Sequence, residues 1–141
     1  MAMGRPRGHG RLLAGEVGEL AGVSGTTIGQ WARRGLIRSS QSEGEPRVYA
    51  VEDVAEAAIV ADLLARGVRH ADVRSTIRRL GRGYGRWPLS EAHLATTGDD
   101  GRVRIVLRED GTAWALGDRG WQQLAVVPPL DDVRVRLRHE A

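Results

Sequence analysis

The residues of this chain that could do chemistry are its cations and one short run of hydroxyl and amide side chains. All 21 basic residues are arginine, and lysine is absent. Each guanidinium is a planar fork matched to phosphate oxygens and to the guanine edge. The second group is Ser24, Thr26, Thr27 and Gln30, followed closely by Trp31, Arg33 and Arg34. On a helix beginning after Ser24, these threonines and Gln30 occupy the outward positions of the first turns. A glutamine there can bond adenine through two hydrogen bonds, and a threonine can meet a thymine methyl or a phosphate. The free N–H groups of such a helix start also attract anions. This is the chemistry of reading a polyanion, not of breaking bonds.

Other chemistries are excluded by what is missing. Without lysine there is no Schiff base and no P-loop lysine. Without cysteine there is no disulfide, thiol nucleophile or thiolate metal site. His9, His70, His93 and His139 have no second ligand at metal-binding spacing, so neither metal nor cofactor is expected. Asp99-Asp100 and Asp131-Asp132 read as solvated turn residues, and no enzyme is expected. No apolar run reaches the length of a membrane span, and the N-terminus lacks an apolar signal core. The expected location is cytoplasmic, on the nucleoid, with no membrane partner.

The formal net charge of +3 conceals an asymmetry. Residues 1–90 carry 14 Arg against 9 acids, a net of +5, and residues 91–141 carry 7 against 9, a net of −2. A polyanion-binding part joined to something else is the natural inference.

The elements that must position these residues follow from periodicity and punctuation. Residues 1–11 form a flexible basic arm, in which Gly4-Arg5-Pro6-Arg7 resembles an AT-hook core for narrow minor grooves; an inert arm is the alternative. A helix over Gly15–Ala21 stops at Gly22. Ser24 caps a second, over Gly25–Arg34, which Gly35 ends. Residues 38–49 are a polar loop. A third helix spans Val51–Arg66 and ends at Gly67, its start expected to fray because Ala50 stands where a capping hydroxyl is usual. A fourth covers His70–Leu80. Residues 81–97 are a linker with a short helical stretch, Ser90–Thr97.

Residues 98–141 form a small β-rich module. Arg102–Arg108 alternates, and Asp110-Gly111 is a two-residue hairpin turn. That turn sets Leu107 opposite Trp114 and Ile105 opposite Leu116. Val133–Arg138 alternates too, as a strand or alternatively a helix. The apolar face of Val103, Ile105, Leu107, Trp114 and Leu116 is too large for a lone hairpin to bury. It is expected to dock on the third helix, which is apolar nearly all round, or to pair with a second copy or another protein.

Two short helices, a tight Gly-Val-Ser turn, a polar loop and two more helices are the order of a winged helix-turn-helix. The stretches Gly15–Ser24, Trp31–Ile37, Arg47-Val-Tyr49 and Glu52-Asp-Val54 resemble the MerR family of bacterial transcription regulators, over about residues 12–80. The fold the resemblance implies is α+β: a MerR-like winged helix-turn-helix of four helices plus wing, with a small C-terminal β-hairpin module. It implies that the second helix enters the major groove. It also implies that Arg47 and Tyr49 of the 38–49 wing meet the duplex backbone, Arg38 with them. For Arg47 a salt bridge to Glu43, Glu45 or Asp53 is the alternative. Trp31 stands where the family usually carries a phosphate-touching tyrosine and reads as part core, part backbone contact.

The chain departs from the family at Gly29 and Gln30, where an arginine and a tyrosine are usual. The long dimerising helix is missing, broken by Gly81, Gly83, Gly85 and Pro88, and the sensor cysteines are absent. The function implied is a sequence-specific double-stranded DNA-binding transcriptional regulator, with a repressor as the simplest form. Its tail would self-associate or hold a protein partner. Two alternatives are an antitoxin-type autorepressor whose tail binds a toxin and an excisionase-like architectural factor.

Overall fold

The computed structural model describes residues 12–37, 48–80, 92–98, 102–109, 111–117 and 119–133. Its helices begin where an acceptor can take the first free N–H groups. Helix α1 (Ala14–Ala21) starts with the Glu16 carboxylate accepting from Leu13 N–H at 2.9 Å. It closes on Gly22 at φ +87°, whose N–H donates to Gly18 O at 2.7 Å. Helix α2 (Gly25–Arg33) is capped as expected by Ser24, whose hydroxyl accepts from Thr27 N–H at 3.0 Å. Gly35, at φ +77°, ends it, and Leu36 and Ile37 return to the core.

Helix α3 (Val51–Ala65) corrects the expectation of a frayed start. Ala50 has no hydroxyl, but its N–H donates to Asp53 Oδ2 at 2.8 Å while Asp53 N–H donates back to Ala50 O at 3.0 Å. A buried carboxylate at the third helical position replaces the missing cap. Just before it, Leu12 and Tyr49 exchange both backbone hydrogen bonds, at 3.0 and 2.8 Å. Gly67, at φ +96°, ends the long helix. Helix α4 (His70–Arg79) turns Val73, Thr76 and Ile77 inward.

The second half is a five-stranded antiparallel sheet, larger than a hairpin. Strands β1 (His93–Thr97), β2 (Arg104–Glu109), β3 (Thr112–Gly117), β4 (Gly120–Gln123) and β5 (Asp131–Asp132) lie in the order β4-β3-β2-β1-β5. The Asp110-Gly111 turn is two residues long, since Glu109 pairs with Thr112, and Leu107 lies opposite Trp114 as expected. Three expectations are corrected. His93–Thr97 is a strand and no helix, because Leu94–Thr97 is buried and flanked by β2 and β5. Asp131-Asp132 is a paired edge strand and not a turn, with both residues exposed as expected. Strand β4, unforeseen, hydrogen-bonds to β3 with Trp121 opposite Leu116. The tail beyond Val133, expected as a strand or helix, lies outside the described residues.

Pairing places Leu94 and Thr96 on the face of Leu107, Ile105 and Trp114. The other face carries the small residues Ala95, Val106, Ala113 and Ala115, against which Leu124 and Leu130 pack. By packing the chain divides at Ala61/Asp62, inside α3. The last turn of α3, α4 and the sheet fall in one unit, Asp62–Arg134. Within this unit Arg66 is the tie. Its guanidinium donates to Thr96 Oγ1 at 3.0 Å and to the carbonyls of Asp131 and Asp132 at 2.7 and 2.8 Å. It also pairs with Asp62 at 3.0 Å. Trp114, on the apolar face of the β2–β3 hairpin, is half-buried.

Candidate nucleic-acid interface

Glycine makes the turn between α1 and α2 as tight as it is. A Cβ on Gly18 would lie inside contact distance of the Val23 carbonyl oxygen and 2.9 Å from the Ser24 carbonyl carbon. A Cβ on Gly25 would come within 3.0 Å of Gly15 Cα. Larger residues at either place would push the second helix away from the first. Ser24 and Thr27 then lock the start of α2, through the cap and a hydroxyl–hydroxyl bond of 2.9 Å. This leaves the direction of α2 fixed by backbone contacts rather than by long side chains.

The helix so placed is sharply two-sided. Ile28 and Trp31 are buried, at 0% and 5% exposure. Thr26, Gln30, Arg33 and Arg34 are exposed, and Thr27 is half-buried. At successive offsets of four, three and one residues the four exposed side chains follow one flank of the helix. Among the described residues Arg33 and Arg34 have no carboxylate partner. Gly29 adds no bulk between them; a Cβ there would meet only the Arg33 guanidinium, at 3.5 Å.

Of the candidate contact residues, Tyr49 is fully buried and Trp31 nearly so. Their large apolar areas are worth more in the core than at a charged surface. They hold α2 and the start of α3 instead. Arg38, Arg47 and most of the 38–49 wing fall outside the described residues, as do Arg5 and Arg7 of the arm. Asp53, the partner considered for Arg47, turns one carboxylate oxygen to Ala50 N–H.

The described residues contain no group of three His, Asp or Glu side chains placed to hold a metal ion. No helix among them is long and apolar enough to cross a membrane. An open cavity of about 340 Å³ lies in the sheet unit, lined by His93, Arg108, Glu109, Val127, Pro128 and Leu130 among others. Arg108 is engaged there with Asp132 at 3.1 Å. Sequence reasoning missed Asp53 as a cap, although an acid three residues after the helix start is the signal for it.

Residues 13–80 match the family described as MerR HTH family regulatory protein. No curated protein and no solved structure matches the chain.

Proposed function

We propose, because residues 13–80 match the family described as MerR HTH family regulatory protein, that this protein is a sequence-specific, double-stranded DNA-binding transcriptional regulator. The observation that carries the proposal is the two-sided α2. Its glycine-tight turn and Ser24 cap fix it, and Thr26, Gln30, Arg33 and Arg34 stand outward without side-chain partners among the described residues.

In the major groove, Gln30 reads a base edge, with adenine as its best bidentate match. Thr26 meets a thymine methyl or a phosphate. Thr27, its hydroxyl oxygen already accepting from Ser24, serves the helix start, where the free N–H groups face phosphate. Arg33 and Arg34 take backbone phosphates. Arg38 and Arg47 extend this grip through the wing, as the family resemblance implies. Trp31 and Tyr49, both buried, act as framework. Such a protein works on the nucleoid, and repression by occupying a promoter is its simplest output.

Val126 and Val127 are exposed, at 84% and 51%, between Leu124 and Pro128. They favour a protein partner or a second copy for the sheet unit, as in an antitoxin-type autorepressor. Footprinting on DNA upstream of the protein's own gene tests the main proposal. Protection of a defined site of one to two helical turns supports it, and binding of equal strength on every sequence contradicts it.

A further inference from the structure

The two edges of the sheet are unlike. Strand β5 is closed: it is only Asp131-Asp132, and the carbonyls of both residues accept from the Arg66 guanidinium, at 2.7 and 2.8 Å. Asp132 is further held by Arg108 at 3.1 Å. Short length and charge are how a sheet edge is kept from adding another strand. Strand β4, at the other end of the order, carries neither device. Gly120-Trp-Gln-Gln123 is uncharged and free of proline, and Gln122 and Gln123 are exposed. The direction of its backbone groups follows from register. Leu124 N–H donates to Ala113 O at 2.9 Å, and bonded and non-bonded pairs alternate along an antiparallel ladder. Gly120 and Gln122 therefore bond β3, while Trp121 and Gln123 turn their N–H and C=O groups outward. Among the described residues those outward groups meet no other backbone group.

From this contrast we infer that β4 is a self-pairing edge, through which the sheet unit joins a second copy of this chain by antiparallel addition of β4 to β4 about a two-fold axis at Gln122. Self-complementarity selects the occupant, because a two-fold contact sets the same patch against itself. With the axis at Gln122, the outward groups of Trp121 meet those of Gln123 in the second copy, and the reverse. Each such pair exchanges two hydrogen bonds, so every outward group of Trp121 and Gln123 is satisfied. An axis at Trp121 or at Gln123 leaves only one bonded pair inside the strand. Gln122 then stands opposite Gln122, where each amide can both donate and accept. Arg119, the cation next to the strand, falls opposite Ala125, so no like charges meet across the junction. The inference goes beyond the DNA-binding proposal and does not depend on it.

The test is sedimentation equilibrium of the full chain without DNA, across a concentration series. The variants are Q122K, Q122E, Q122T and Q123P, each checked for folding by circular dichroism. Wild type and the neutral Q122T should sediment as dimers. Q122K and Q122E place like charges directly opposite one another, and each should weaken dimerisation about tenfold. Mixed in equal amounts, these two should recover it as a heterodimer. Q123P removes an outward N–H from each copy that no bond within the chain uses, and should lose about thirtyfold in dimer affinity while staying folded. A wild type that is monomeric at every concentration overturns the inference, whether or not it binds DNA. A dimer that all four variants leave unchanged also overturns it, since its contact lies elsewhere. Folded Q122K and Q122E that fail to associate when mixed overturn the axis at Gln122.

Discussion

Arg66→Met isolates the tie between the last turn of α3 and the sheet. Methionine keeps the apolar stem and removes the guanidinium. The arginine side chain is only 17% exposed and donates to four acceptors, the Asp131 and Asp132 carbonyls and Thr96 Oγ1 at 2.7, 2.8 and 3.0 Å and Asp62 Oδ2 at 3.2 Å. A hydrogen bond from a charged donor contributes about 1.5–3 kcal/mol, and an acceptor that finds water recovers most of its share. The carbonyls of Asp131 and Asp132 are at the exposed edge and can be rehydrated, whereas Thr96, 5% exposed, cannot. The ion pair with Asp131, whose side chain is 82% exposed, adds little. The sum is about 2–3 kcal/mol, or roughly 10–20 °C in the melting of a domain of this size. Trp114 and Trp121 report the sheet unit, so urea titration followed by tryptophan fluorescence and by far-ultraviolet circular dichroism is the assay. A variant within 0.5 kcal/mol of wild type, a flag of about the usual surface effect, would refute the reasoning that Arg66 ties strand to helix.

Gly18→Ala should disrupt the turn between α1 and α2, because its methyl meets backbone and not a flexible side chain. Overpacking of that kind costs about 1–3 kcal/mol, read by thermal melting, and DNA binding should weaken with it. Asp53→Ala leaves the buried Ala50 N–H without its acceptor and should cost about 1–3 kcal/mol in the same melt. Asp53→Asn, which retains an acceptor oxygen, should recover part of that loss.

The helices were legible because their ends are local events. Ser24, Gly22, Gly35 and Gly67 act within a few residues of the chain they cap, and each is where the sequence places it. The Asp110-Gly111 hairpin was legible for the same reason. Strand β1 was not, because Leu94, Ala95, Thr96 and Thr97 are buried in succession and two-sided burial erases the alternation that marks a strand. The Asp131-Asp132 edge and the Arg66 tie depend on partners 30 to 66 residues away, which no local pattern carries. In the candidate interface, the hydroxyl and amide run of α2 could be read directly from type and spacing. Trp31 and Tyr49 could not, because whether an aromatic side chain faces core or ligand is decided by tertiary packing.

The central claim is that α2 reads DNA bases through Gln30, and one measurement tests it most directly. Wild type and Gln30→Ala are titrated at fixed salt against the footprinted duplex and against versions with each base pair changed in turn. The account predicts that Gln30→Ala loses about 1–3 kcal/mol of discrimination at one base pair, and keeps it elsewhere. If the variant discriminates at every position as wild type does, Gln30 does not read a base and the placement of α2 in the major groove is contradicted.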